Sequence, residues 1–236
     1  MMIGVDFEKI VWKFGVLELL EPNAFIGDIL LFGITFAFYL KIQKTSPFNI
    51  FWSKFFFYTG VSFLLGGFGH LLFNYTGLFG KSFSWFFGII ATFFVEQAMI
   101  SIWRNQKQRN KMEKYSRYKF YGVLIAEMLY LISLERTQDP ALGLLLPALN
   151  AIIGLGFSVI YLGSIYQKTL HQDFRYFWIG ALIIFPNGLI QALKINIHPW
   201  FDRNDLGHVL LMIGFSCFYL ALVRINRVNH TIKQFT

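Results

Sequence analysis

The sequence predicts an all-α membrane protein, a seven-helix transmembrane bundle, and three observations support that prediction. Of the 236 residues, 56% are hydrophobic and only 14% are charged, whereas a soluble domain carries about 25% charged residues. The mean hydropathy of +0.51 is typical of an integral membrane protein. Apolar stretches of about 20 residues, enough to cross a hydrocarbon core as helix, recur seven times, at 24–41, 52–74, 83–103, 118–134, 141–167, 176–196 and 206–224.

The charged loops predict how these spans are oriented. If the N-terminus lies outside, the inner loops and the C-terminal tail hold 15 of the 21 lysine and arginine residues, and the outer segments hold the other six. Cytoplasmic loops are enriched in these residues, so the pattern predicts an N-out, C-in protein with an odd number of spans. The distribution of lysine and arginine in the inner loops explains the net charge of +8, and no nucleic-acid partner is predicted.

The chain divides into an N-terminal interfacial segment 1–23, the transmembrane domain 24–224 and a cytoplasmic tail 225–236. Five apolar residues of the first segment recur at helical spacing, which predicts a short amphipathic helix lying at the interface: Phe7, Ile10, Val11, Phe14 and Leu17. Five tryptophans fall near predicted helix ends and predict an aromatic belt: Trp52, Trp85, Trp103, Trp178 and Trp200.

Three ionisable residues, His70, Asp205 and His208, lie inside or at the mouth of long apolar runs. Such groups are costly in lipid and usually face a protein interior or a watered cavity. The predicted topology brings them to one depth near the outer face, together with Asp28 at the outer end of the first span. Asp205 and His208 are three residues apart and share a helix face, so they could bind one metal, or the carboxylate could orient the ring.

Structural roles for the same residues stay open at this point. His70 follows three glycines at 66–69, which let neighbouring helices approach closely, so the imidazole could simply form a hydrogen bond across helices. Asp205 lies where a helix N-cap belongs. His208 has no comparable structural explanation.

A second polar layer is predicted deeper in the bundle. Glu96 lies in the third span and Glu127 in the middle of the fourth. No lysine or arginine is expected at their depth, so these carboxylates should be protonated or linked to water. They indicate a polar cavity or a proton path. Asn150 and Asn187 each follow a proline and could satisfy the carbonyl that the proline frees.

A histidine late in the second span and another at the start of the seventh resemble the CREST superfamily, which includes alkaline ceramidases and progestin/adipoQ receptors. Its members hold zinc through histidines of these two spans and hydrolyse lipid amides. The resemblance implies that His70 and His208 are zinc ligands, with Asp205 or Asp28 replacing a lost one. The sequence departs from the family at Gly66, where the family has serine, and at Asn204, where it has a second histidine.

A third departure is the stretch Lys81-Ser82-Phe83-Ser84, where the family has an aspartate. The motifs Gly-Gly-x-x-His at 66–70 and Asn-Asp-x-x-His at 204–208 look closer to those of bacterial seven-helix proteins. This likeness predicts a location in a bacterial inner membrane.

The function predicted first is a zinc-dependent intramembrane hydrolase of a lipid amide or ester. Zinc at His70, Asp205 and His208 would lower the pKa of a bound water to about 7, Asp28 or Glu96 would move protons, and the lipidic substrate would lie in the phenylalanine-rich interior. The alternative is a seven-helix receptor or transporter that binds a small or lipidic ligand. Haem held by His70 and His208 is a third possibility. Membrane lipid is the predicted partner, and the oligomeric state is left open.

Overall fold

The structure, a computed structural model, describes residues 2–134 and 140–234. Helices account for most of these residues, and a helix or a run of short helices covers each of the seven predicted apolar stretches. The long helices are α1 (Pro22–Lys41), α2 (Pro47–Leu71), α3 (Phe73–Ser101), α4 (Gln106–Leu134) and α10 (Arg203–Gln234).

The predicted fifth and sixth spans are each divided into shorter pieces. The fifth contains α5 (Pro140–Gly143), α6 (Leu145–Leu155), a π-helical segment (Gly156–Leu162) and α7 (Gly163–Thr169). The sixth contains a 3₁₀ turn (Gln172–Phe174), α8 (Arg175–Ile184) and α9 (Pro186–Ala192). Pro186 has no amide proton to give, which accounts for a division at this point.

Within the described part of the chain, four helical segments are long and apolar enough to cross a membrane, which agrees with a membrane protein. They are Pro22–Lys41, Phe73–Ser101, Leu145–Thr169 and Arg203–Arg227. The seven-span count and the N-out orientation stay predictions.

The amphipathic helix predicted near the N-terminus is wrong. Strands β1 (Val11–Phe14) and β2 (Leu17–Leu20) pair there as an antiparallel hairpin, with Lys13 opposite Glu18. Gly15 has a φ of 62°, a turn conformation that glycine adopts without strain. Valine, tryptophan and phenylalanine favour strands, and in so short a segment they outweigh a helical spacing of apolar residues.

The core is aromatic, and two of the predicted belt tryptophans belong to it. Trp52 is fully buried and stacks on Phe177 with ring centroids 4.6 Å apart. Trp85 is also buried. The aromatic-belt prediction is therefore wrong for these two residues. Both lie near predicted helix ends, but neighbouring helices cover them, so they do not face the membrane interface.

Helices α8 and α10 approach each other at two buried glycines, Gly180 and Gly214. A Cβ atom added to Gly180 would lie 2.6 Å from the Gly214 carbonyl oxygen, and one added to Gly214 would lie 2.8 Å from the Gly180 carbonyl oxygen. Small residues allow this kind of backbone approach between membrane helices. The contact positions the start of α10, which carries Asp205 and His208.

Candidate functional site

Four of the five predicted site residues lie at one end of the bundle, called here the polar end: Asp28, His70, Asp205 and His208. It is formed by the first turns of α1, α3 and α10 and the last turn of α2, and residues 2–20 cover it. The Met2 amide donates to the Asn196 carbonyl, and the Asn196 amide donates back to Met2. Asp6 pairs with Lys194 at 3.0 Å and with Arg203 at 2.9 Å. These hydrogen bonds and ion pairs hold the N-terminal segment against the polar end of the bundle.

His70 takes part in an ion-pair cluster. Its Nδ1 lies 2.7 Å from Oε2 of Glu21 and 3.3 Å from Nζ of Lys81. Lys9 reaches the other oxygen of Glu21 at 3.1 Å. The predicted close helix approach beside His70 is confirmed, since a Cβ atom on Gly69 would lie 3.2 Å from the Gly80 carbonyl oxygen. His70 is thus held between helices, as the structural alternative predicted.

Glu21, which the sequence did not single out, is the centre of this cluster. Burial opposes its ionisation, but the hydrogen bond and charge of His70, followed by the charges of Lys81 and Lys9, hold the pKa of Glu21 well below its usual value. The carboxylate therefore stays charged and binds the N-terminal segment, α2 and α3 together.

Glu21→Gln is expected to lower the free energy of unfolding by about 1.5 kcal/mol near pH 7, because it removes the charge from buried hydrogen bonds. A folded-state pKa below the unfolded value of about 4.3 contributes stability above that pH and loses it as the pH falls. The difference from wild type should therefore shrink below about pH 5. Thermal unfolding in detergent across this range measures it.

The matched control is Glu18→Gln, since Glu18 forms an exposed hairpin pair with Lys13. This variant should unfold within about 0.5 kcal/mol of wild type. A difference for Glu21→Gln that did not change with pH would contradict the role assigned to its charge.

Asp205 completes the cap of α10. Its Oδ2 accepts from the Asp202 amide at 3.0 Å, while Asp202 Oδ1 accepts from the Asn204 and Asp205 amides. This reciprocal bonding satisfies free amides of the first helical turn, as a capping box does. The same Asp205 oxygen accepts from the Asn23 side chain at 2.8 Å, which joins α10 to α1. The N-cap is therefore Asp202 and not Asp205 as predicted, and Asp205 has the reciprocal position in the capping box, which is also a structural role.

Asp28 and His208 are the two predicted site residues that the structure brings together. Oδ1 of Asp28 lies 3.2 Å from Nε2 of His208, and both side chains are buried. Gly27 leaves room for the imidazole, because a side chain there would overlap the ring. Asp28 Oδ2 and His208 Nδ1 are buried and have no hydrogen-bond partner among the described residues. A carboxylate and an imidazole so placed can exchange a proton or hold a polar ligand.

The predicted zinc ligands are not assembled into one set. Zinc sites use at least three protein ligands, and no group of three or more His, Cys, Asp or Glu side chains in the described part of the chain is placed to hold a metal. His70 faces Glu21 and the ammonium of Lys81, Asp205 belongs to the capping box of α10, and His208 faces Asp28. A lysine 3.3 Å from a would-be ligand nitrogen opposes cation binding there, so these donors do not fit zinc.

Glu96 lies elsewhere in the fold and is not unpaired, so that prediction is wrong. Lys119 forms an ion pair with its Oε1, and Ser116 donates to its Oε2 at 2.6 Å. The side chain of Glu96 is 4% exposed and that of Lys119 is 28% exposed. Lys119 lies within the predicted fourth span, and α4 begins at Gln106, before the predicted start at 118. Ser116 is therefore also helical and lies beside α3.

Beside this ion pair is a cavity of about 590 Å³ between α3, α4 and the π-helical segment. Apolar and aromatic side chains form most of its wall, and Glu96, Ser116 and Lys119 form a polar patch. Its lining consists of Glu96, Ile100, Trp103, Gln108, Lys111, Met112, Tyr115, Ser116, Lys119, Ile153, Phe157, Tyr161 and Leu162. The volume lies within the range of ligand pockets, and single π-helical turns inside α-helices occur often at functional sites.

Glu127 is fully buried in α4, and neither of its oxygens has a hydrogen-bond partner among the described residues. Asn150 Oδ1 and Asn187 Oδ1 are buried and unpartnered in the same sense. The predicted polar layer thus consists of a paired Glu96 and these separate polar groups.

A family model described as a family of unknown function, DUF6962, matches residues 24–227. No curated protein and no solved structure matches the chain. The match covers most of the chain, from the first turn of α1 to within α10, so the chain belongs to this family.

Proposed function

We propose that this member of the DUF6962 family is a seven-span, N-out membrane protein that binds a lipidic ligand in the cavity between α3, α4 and the π-helical segment. The observation that carries the proposal is the cavity itself, whose wall is largely apolar and aromatic, with polar side chains at Glu96, Gln108, Lys111, Ser116 and Lys119. Ligand pockets commonly have this composition. The receptor or transporter type of membrane protein is therefore favoured over the hydrolase.

A variant that fills the cavity tests the proposal. Ile153 lines the cavity and is 60% exposed, so tryptophan at this position should leave the fold intact. Its neighbour Ile152 is 48% exposed and lies outside the lining, which makes Ile152→Trp a matched control. Dioleoylphosphatidylglycerol is titrated into each purified protein in detergent, and bound lipid is counted by mass spectrometry under non-denaturing conditions.

Wild type and Ile152→Trp are expected to bind one lipid more tightly than any further ones, and Ile153→Trp is expected to lose that first binding step. Equal, unsaturated binding by all three proteins would mean that lipid attaches only around the bundle. That result would overturn the proposed function.

The zinc hydrolase stays a prediction from the resemblance. The separate positions of His70, Asp205 and His208 argue against it, since they are not placed to bind one metal ion. Elemental analysis of purified wild type beside His208→Ala tests it directly. Stoichiometric zinc in wild type that is lost in the variant would revive the hydrolase.

A further inference from the structure

We infer that the ligand of this cavity is a membrane phospholipid with an anionic headgroup, bound with the headgroup at Lys111 and an acyl chain along Ile153 and Phe157. The inference rests on the proposed function and names the class of its ligand. Three independent features of the lining support it: its charge, its depth and the direction of its apolar wall.

The charge of the lining is complementary to an anion. Three charged residues line the cavity, Glu96, Lys111 and Lys119. Glu96 and Lys119 neutralise each other, which leaves Lys111 in excess. Lys111 is exposed, and no carboxylate among the described residues lies within ion-pair distance of it; its ammonium lies over the Tyr115 ring, 5.8 Å from the centroid. Its N–H donors are therefore available to a phosphate.

The next charges along α4 reinforce this excess. Lys107, Lys114 and Arg117 are exposed, and the one acidic residue of this half-helix, Glu113, already faces Arg109 and Arg117. A basic segment next to a membrane attracts anionic lipid by about 1 kcal/mol for each lysine or arginine near the surface.

The depth of the cavity matches the boundary between hydrocarbon and headgroups. The apolar part of α4 begins at 118, so Lys119 lies at the predicted edge of the hydrocarbon. Lys111 is eight residues earlier, about 12 Å further out along a helix, which places it at the level of the headgroups. Trp103 donates to Gln108 at 2.8 Å beside it, and tryptophan is common at this level.

The apolar wall extends from this boundary toward the hydrocarbon. Ile153, Phe157 and Tyr161 form one side of it from α6 and the π-helical segment. All three are exposed, so a chain lying against them would enter from the surrounding lipid without displacing the packed core. A water-soluble anion would leave this wall uncovered, which favours a phospholipid over a free phosphate.

Two lipids with the same acyl chains test the headgroup. Dioleoylphosphatidylglycerol and dioleoylphosphatidylcholine are titrated separately into the purified protein, and the first bound lipid is counted by non-denaturing mass spectrometry. The anionic lipid is expected to bind at least about fivefold more tightly. Lys111→Gln should weaken its binding by about fivefold, the effect of one lysine near the surface. It should weaken the binding of the zwitterionic lipid by less, because that lipid has the same phosphate but no net charge.

Lys114→Gln is the matched control, because Lys114 is also exposed on the same helix but does not line the cavity. Equal affinity for the two lipids, with both lost in Ile153→Trp, would overturn the headgroup inference and leave the proposed function standing. Equal weakening by Lys111→Gln and Lys114→Gln would also overturn it, since the attraction would then belong to the whole basic surface. If neither lipid shows a distinct first binding step, both proposals are overturned.

Discussion

Lys119→Met is expected to lower the free energy of unfolding by about 3 kcal/mol, because it leaves the buried Glu96 carboxylate without its cation. Breaking a buried ion pair by removing one partner typically costs 3–5 kcal/mol. The lower end applies because the Lys119 side chain is 28% exposed, whereas that of Glu96 is 4% exposed. Ser116 would still donate to Glu96, but a neutral hydroxyl cannot replace the ammonium. Reversible unfolding in mixtures of dodecyl sulphate and mild detergent measures the change.

Glu96→Gln, which removes the other partner of the ion pair, should lower the free energy of unfolding much less than Lys119→Met. In Glu96→Gln the lysine is left without a carboxylate, but its partly exposed side chain can turn to water, and glutamine can still accept from Ser116. The double variant Glu96→Gln/Lys119→Met should recover most of the stability lost in Lys119→Met, since it holds no uncompensated charge. Lys114→Met, an exposed change on the same helix, should stay within about 0.5 kcal/mol of wild type. A double variant no more stable than Lys119→Met would contradict the assigned pairing.

This ion pair also shows where prediction from sequence ends. The apolar run located the hydrophobic part of α4, but the helix continues through the charged residues before it. Arg109, Glu113 and Arg117 are spaced four apart and form ion pairs along the helix surface, an arrangement that stabilises a helix without apolar residues. That spacing was readable in the sequence. The meeting of Lys119 with Glu96 was not, because it depends on how far α3 and α4 overlap.

The polar end shows the same limit. Span order alone correctly placed Asp28 and His208 at a common depth, and the structure pairs them. His70 was placed at that depth too, but its partners are Glu21, which lies 49 positions earlier in the chain, and Lys81. One signal could have identified Lys81. It lies 11 residues after His70, and Gly77 between them, where the structure breaks the helix with a φ of 54°, is a residue typical of a turn between two spans. Hydropathy reports depth and cannot report which side chains face each other.

The approach of α8 to α10 could not be predicted from the presence of two glycines. Gly33 lies in the apolar helix α1, and among the described residues no atom comes within 4 Å of a Cβ atom placed there. What distinguishes Gly180 is its neighbour. A Cβ atom there would meet a backbone oxygen of α10 and also the ring of Phe218, at 2.7 Å. Phe218 is fully buried and packs on Trp52 with centroids 5.5 Å apart.

Gly180→Ala is therefore expected to lower the free energy of unfolding by about 1–3 kcal/mol, the usual cost of overpacking, even though alanine favours helix by about 1 kcal/mol over glycine. Neither the carbonyl of Gly214 nor the ring of Phe218 can move without shifting α10. Unfolding in the same mixed detergents measures the loss. Gly33→Ala is the matched control. It should be as stable as wild type or slightly more stable, because alanine favours the helix and, among the described residues, its methyl group meets no neighbouring atom at this position.

Gly214→Ala should show a similar loss, because the approach is reciprocal. The double variant Gly180→Ala/Gly214→Ala should lose less than the two single losses added together, since one methyl group already separates the helices and the second enters space that the first has opened. Additive losses would mean that the two positions do not share a contact. A stable Gly180→Ala would mean that α8 and α10 are further apart than in this structure, and the start of α10, with the Asp28–His208 pair, would then have to be placed differently.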